Sequence, residues 1–215
     1  ENLYSVPYMW GLMGVIYNTT MVDEADTGSW DLLWNEKYSN DILMIDNSRD
    51  AIGIALKRLG YSYNTTDPDQ ITEAVDSTLF PYTTLFRSPD QITEAVDSLI
   101  EQKSILQGYA MDQIFSKMEG SNAAIGTYYY GDYLTMAENN PDLAFYLPEE
   151  GTNIYVDAMC IPKGAANKEN AEAFINYMCS TQAGLKNCEE IWYSTPLMSV
   201  REELDPEVSS DPMAY

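Results

Sequence analysis

Residues 41–46, DILMID, form an apolar run that passes without a spacer into NSRDAIGIALKRLG. A short continuous apolar run with β-branched content reads as a buried strand, of the kind found in parallel sheets. The segment after it reads as a helix. Asn47 or Ser48 caps it, and Ala51, Ile52, Ala55, Leu56 and Leu59 form one apolar stripe. Lys57 and Arg58 fill the last turn and Gly60 ends it. A buried strand feeding directly into an amphipathic helix is half of a βαβ unit. It directs the chain toward an α/β fold with mostly parallel sheets.

The rest of the chain alternates in the same way. VPYMWGLMGVIYNT, from Val6, predicts a strand whose surroundings change partway. GSWDLLWNEKY predicts a short helix capped by Ser29, with Leu32, Leu33 and Trp34 inward. A helix is expected near 111–118, a strand running through a turn into a helix over 122–134, and a short strand in DLAFYLP. TNIYVDAMCIP alternates, with Ile154, Val156, Ala158 and Cys160 on one side and Tyr155, Asp157 and Met159 on the other. NKENAEAFINYMC predicts a helix capped by Asn167, with Ala171, Phe174, Ile175 and Met178 as its stripe. A second helix near 181–191 packs on it, and WYSTP is a tight loop. No clear element is expected beyond Val200.

One stretch breaks this order. Pro68–Ser77 and Pro89–Ser98 are identical, with TLFPYTTLFRS between them. In the second copy Ile92, Ala95, Val96, Leu99 and Ile100 fall on one helix face, whereas in the first copy Pro81 cuts the pattern short. Joining Ser77 to Leu99 restores one uninterrupted amphipathic helix, reaching about Lys103. The spacer also resembles the translation of a common short-read sequencing adapter. Residues 78–98 therefore read as an insertion foreign to the coding sequence, not as a structural repeat.

Composition narrows function. The formal net charge is −23, which repels nucleic acid and anionic lipid and attracts cations. The chain has no histidine, which excludes Ser-His-Asp and Cys-His nucleophile sites and any His-containing metal site. Cys160, Cys179 and Cys188 lack zinc-site spacing, and pairing of Cys179 with Cys188 stays open. The opening ENLYSVPYMWG, without a methionine, reads as the inside of a longer protein.

In open α/β sheets, ligands gather where strands end and helices begin. Asp46, Asn47 and Asp50 occupy one such place, and Tyr128, Tyr129, Tyr130 and Asp132 another. Tyr155 and Asp157 share one face of an alternating strand. Carboxylates beside tyrosines suit an ammonium ligand, through charge-assisted hydrogen bonds and cation–π attraction. Duller roles compete: Asn47 as a helix cap, Asp50 as a complement to the helix dipole, the tyrosines as core and rim.

VPYMWG, DLLW, MIDNSRDAIGIALKRLGYSYNTTDP, YVDAMCIPKGAANKENAEAFINYMC and YSTP occur in this order. By these stretches the chain resembles the periplasmic spermidine/putrescine-binding proteins of ABC transporters. The resemblance implies a two-lobe periplasmic-binding-protein fold, type II-like, with a polyamine in the cleft and crossing strands near 15–17 and 154–157. One lobe, 17–153, is expected nearly complete. The other is expected truncated, represented by 1–16 and 154–215, with apolar surface left uncovered, so that this chain by itself is expected to be poorly soluble or unable to close on ligand. Asn47 and Asp50 align with a pair of acids that hold one end of the polyamine. Asp46 could replace the charge lost at Asn47 only by turning inward. Tyr129, the Tyr155–Asp157 pair and Tyr193 align with cleft residues that clamp an amine by ring and carboxylate. The resemblance further implies no catalysis, cofactor or metal, a monomer, a membrane permease as partner, and a place outside the cytoplasm, in the periplasm or as a lipoprotein on the cell surface. The rivals are a carrier of the same fold for a sugar or another solute, and a hydrolase using Asp50 and Asp157 as acid and base.

Overall fold

A computed structural model describes residues 5–63, 99–100 and 102–215. The duplicated segment and the helix restored by removing residues 78–98 lie outside these residues, apart from the helix end. There, Leu99 is buried while Ile100 stays exposed.

The described chain forms β1 (Val6–Asn18), β2 (Ile42–Ile45), α1 (Ser48–Arg58), β3 (Leu106–Ala110), α2 (Gln113–Glu119), β4 (Ile125–Tyr129), α3 (Tyr130–Asn139), β5 (Leu143–Tyr146), β6 (Ile154–Met159), α4 (Lys168–Met178), α5 (Thr181–Ile191), α6 (Met198–Arg201) and α7 (Pro206–Ser209). It divides into two compact units. Unit one comprises 1–12, 129–135 and 154–215, and unit two comprises 13–128 and 136–153.

In unit two the strand order is β3-β2-β4-β1-β5. β2 lies parallel to both β3 and β4, and β5 runs antiparallel to β1. All four residues of β2 are buried, as its unbroken apolar run requires. α1 then starts on an Asn47 cap whose side chain accepts from the backbone N–H groups of Arg49 and Asp50. The stretch expected as a short helix at 29–38 is a pair of 3-10 turns, Trp30–Trp34 and Glu36–Tyr38. Trp30, Leu32 and Leu33 are buried there. Trp34 is only half-buried, and the Arg58 guanidinium stacks on its ring at 4.4 Å. The Trp30 indole is fully buried and donates to the Gly151 carbonyl at 2.9 Å.

In unit one β6 runs antiparallel to the first half of β1, pairing Tyr155 with Gly11 and Asp157 with Met9. A small core gathers Met9, Cys188, Val200 and Leu204, with Tyr193, Leu197, Val208 and Tyr215 against it. Cys179 and Cys188 are both free thiols. The alternation in β6 has the expected period, but its apolar side is open: Ile154 is 65% exposed and Val156 56%. α4 buries none of its residues, and Phe174 in its stripe is 59% exposed. Its Asn167 makes no side-chain cap bond. Beyond Val200 the chain is ordered after all. α7 is capped by Asp205 with Pro206 in its first turn, and Tyr215 meets Trp10 edge to face at 6.1 Å. These helices are single turns, too short to show a periodic stripe.

Candidate functional site

Unit one assembles a tyrosine cluster from three distant parts of the chain. Tyr129 ends β4, Tyr155 lies in β6, and Tyr193 follows α5. The Tyr129 and Tyr155 rings meet edge to face at 4.8 Å, and those of Tyr155 and Tyr193 at 5.9 Å. Tyr193 is brought in by the backbone. Trp192 takes the left-handed conformation at the end of α5, and Ser194 then pairs with Trp10 of β1 through two backbone hydrogen bonds of 2.9 and 3.1 Å. Glycines make room for two of the rings. A Cβ on Gly11 would run into the Tyr155 phenol, and one on Gly131 would run into the Tyr193 ring.

Two carboxylates belong to this unit's site. Asp132, in the first turn of α3, accepts from the Tyr193 hydroxyl at 2.7 Å. Burial, then the charges of Tyr155 and Asp132, push the Tyr193 phenol well above its ordinary pKa. Asp157 sits two residues beyond Tyr155, on the same side of a pleated strand. It is exposed as a residue, yet partial burial of its carboxyl raises it above the usual aspartate value. Tyr130, the next residue after Tyr129, turns elsewhere and donates to Asp211 at 2.6 Å. The structure thus brings Tyr129, Tyr155 and Tyr193 together, with Asp132 bonded to Tyr193 and Asp157 two residues beyond Tyr155 on the same side of β6.

Unit two holds the remaining candidates. Asn47 performs the capping role described above. Asp46 is exposed at the end of β2, and Tyr109 is raised mainly by burial and then by the Asp46 charge. Asp50 is the informative residue, only 4% exposed. Its Oδ1 accepts from the Tyr63 hydroxyl at 2.6 Å and from Asn153 Nδ2 at 3.4 Å. A helix-dipole complement could sit in solvent; a carboxylate this deep has to be held by donors. Tyr63 and Asn153 are absent from the sequence-based candidates. One signal for Tyr63 existed: Gly53 interrupts α1 one turn after Asp50, where a helix has no use for glycine unless another group approaches closely. Asn153 gave no local signal. Among the described residues no group of three or more histidines, cysteines or carboxylates is placed to hold a metal ion, and no described helix is long and apolar enough to cross a membrane.

Rings and carboxylates in this arrangement can strip water from an ammonium group and replace it with π-faces and charge-assisted hydrogen bonds. A spermidine/putrescine-binding periplasmic protein of Salmonella typhimurium is 31% identical over 217 residues, covering 100% of this chain and 56% of that protein. The solved structure of a spermidine/putrescine ABC transporter substrate-binding protein from Streptococcus pneumoniae superposes with a TM-score of 0.74 at 35% identity, covering 99% of this chain and 59% of that one. A Listeria monocytogenes structure reaches a TM-score of 0.82 at 32% identity, with 99% and 59% covered. The chain thus spans little more than half the length of these relatives. The model of the bacterial extracellular solute-binding protein family matches residues 1–214, and the chain belongs to that family.

Proposed function

We propose that this chain is the solute-binding part of an ABC importer working outside the cytoplasm, and that its solute is spermidine or putrescine. The observation that carries the reading is the cluster of Tyr129, Tyr155 and Tyr193 with the Asp132 and Asp157 carboxylates beside it. One ammonium on such rings is worth about 0.5–2 kcal/mol per well-placed face, and each charge-assisted bond roughly 1.5–3 kcal/mol. Asn47 and Asp50 are read as a second amine-recognition element. Asp46 adds to the field without a direct contact. The net charge of −23 draws polycations and disfavours nucleic acid. In this reading the protein is a monomer and a receptor, not an enzyme, and hands its solute to a membrane permease.

A thermal-shift panel of putrescine, spermidine and neutral sugars on the full-length protein tests the assignment. Ligand at a hundred times Kd stabilises by about 2.7 kcal/mol, a rise of several degrees in Tm. A rise with the amines alone is expected. A rise with a sugar alone, or none with either amine, would overturn the polyamine reading.

A further inference from the structure

We propose that Tyr63 is a positioning residue for amine recognition, acting through Asp50. The inference rests on the polyamine reading and adds to it a residue outside the aligned set. The Asp50 carboxylate is buried, so its direction is set by the groups that donate to it. Tyr63 donates at short range, with its hydroxyl 2.6 Å from Oδ1 against 3.4 Å for Asn153 Nδ2. Both reach the same oxygen, Oδ1, and so restrain the rotation of the carboxylate.

The backbone is arranged for this contact. After α1 the chain turns at Gly60, whose φ of +83° suits a residue without a side chain, and returns to lay the Tyr63 ring along the helix. The ring lies over Gly53, three residues on from Asp50 and on the same helix face. A Cβ there would lie 2.6 Å from Tyr63 Cδ2 and closer still to other ring atoms. Gly53 therefore gives up helix propensity, and what it admits is the phenol that holds Asp50. Asn47 accepts from the Asp50 backbone N–H at 3.4 Å, so main chain and side chain of Asp50 are held separately. A carboxylate held in this way has less reorganisation to undergo when a cation arrives, and lower reorganisation means tighter binding.

The test is a set of calorimetric titrations with putrescine on the full-length protein and its variants. Tyr63→Phe keeps the ring and removes the donor; the bond is already present without ligand, so the expected effect is the lost preorganisation of one side chain, about a two- to tenfold loss of affinity. Gly53→Ala keeps the hydroxyl but displaces the ring, and is expected to weaken binding in the same way. The loss from Tyr63→Phe should disappear when Asp50→Asn is already present and persist in full when Asp157→Asn is present. A purely structural tyrosine would cost the same in both backgrounds, and that result overturns the proposal, as does unchanged affinity in Tyr63→Phe. If the unsubstituted protein takes up no polyamine, the functional reading itself falls. The melting temperatures of Tyr63→Phe, Asp50→Asn and the double variant then judge the link: non-additive losses support it and additive losses overturn it.

Discussion

Replacing Gly131 by alanine puts the tyrosine cluster under a defined strain. The added methyl would lie 2.8 Å from Tyr193 Cε1 and 3.0 Å from the Ile191 carbonyl oxygen, and nearer still to Cδ1. The ring cannot simply swing aside, because its hydroxyl is tied to Asp132 and its burial is shared with the Met9 and Val200 core. Overpacking of this kind costs about 1–3 kcal/mol. Alanine gains back up to about 1 kcal/mol over glycine in a helix interior, and less in the first turn of α3, where residue 131 lies. The net expectation is a loss of about 1–2 kcal/mol, roughly 2–8 °C in Tm for a chain of this length. Polyamine affinity should fall with it, since the displaced ring is one of the three in the cluster. Gly108→Ala is the control: nothing lies within 4 Å of its Cβ position, and its effect on melting should be small. Differential scanning fluorimetry with calorimetry on both variants reads the outcome. Wild-type melting and wild-type affinity in Gly131→Ala would refute the argument that Tyr193 is held against this glycine.

Two further substitutions probe other links. Partial burial raises Asp157 above the ordinary aspartate pKa, so the folded state holds its proton more tightly than the unfolded state does. Its contribution therefore favours folding at acid pH and is lost as pH rises through the folded value; Asp157→Asn should melt slightly higher than wild type at pH 7 while binding polyamine more weakly, and a lower Tm with unchanged affinity would contradict both signs. Trp30→Ala, emptying a fully buried indole site, should cost about 3–5 kcal/mol in chemical denaturation, and a loss under 1 kcal/mol would show that the indole does not anchor the unit-two core.

The parts of this fold legible in sequence are those governed by local periodicity. Ile42–Ile45 followed by the Asn47 cap and the α1 stripe declare a buried strand and its helix, because burial on both faces and helical spacing leave direct marks. The alternation of β6 was equally readable, but period says which residues share a side and not which side is covered; Ile154 and Val156 are exposed. The helix at Pro206–Ser209 carried a usable signal in Asp205–Pro206, an acidic cap before a proline, that periodicity could not amplify over one turn. For the site, the pairing of Tyr155 with Asp157 follows from strand spacing. The gathering of Tyr129, Tyr155 and Tyr193 does not, since it depends on the Trp10–Ser194 bridge and the turn at Trp192, and only family resemblance anticipated it. Tyr63 and Asn153 on Asp50 are tertiary contacts whose single trace was a glycine inside a helix.

Calorimetric titration of the full-length protein with putrescine at low and at high salt tests the central claim most directly. The account requires saturable binding at one site, weaker at high salt because charged carboxylates meet ammonium groups, and lost by tenfold or more in Asp157→Asn. Salt-independent heats, or affinity untouched by removal of the Asp157 charge, would mean that the ring and carboxylate cluster serves something other than a polyamine.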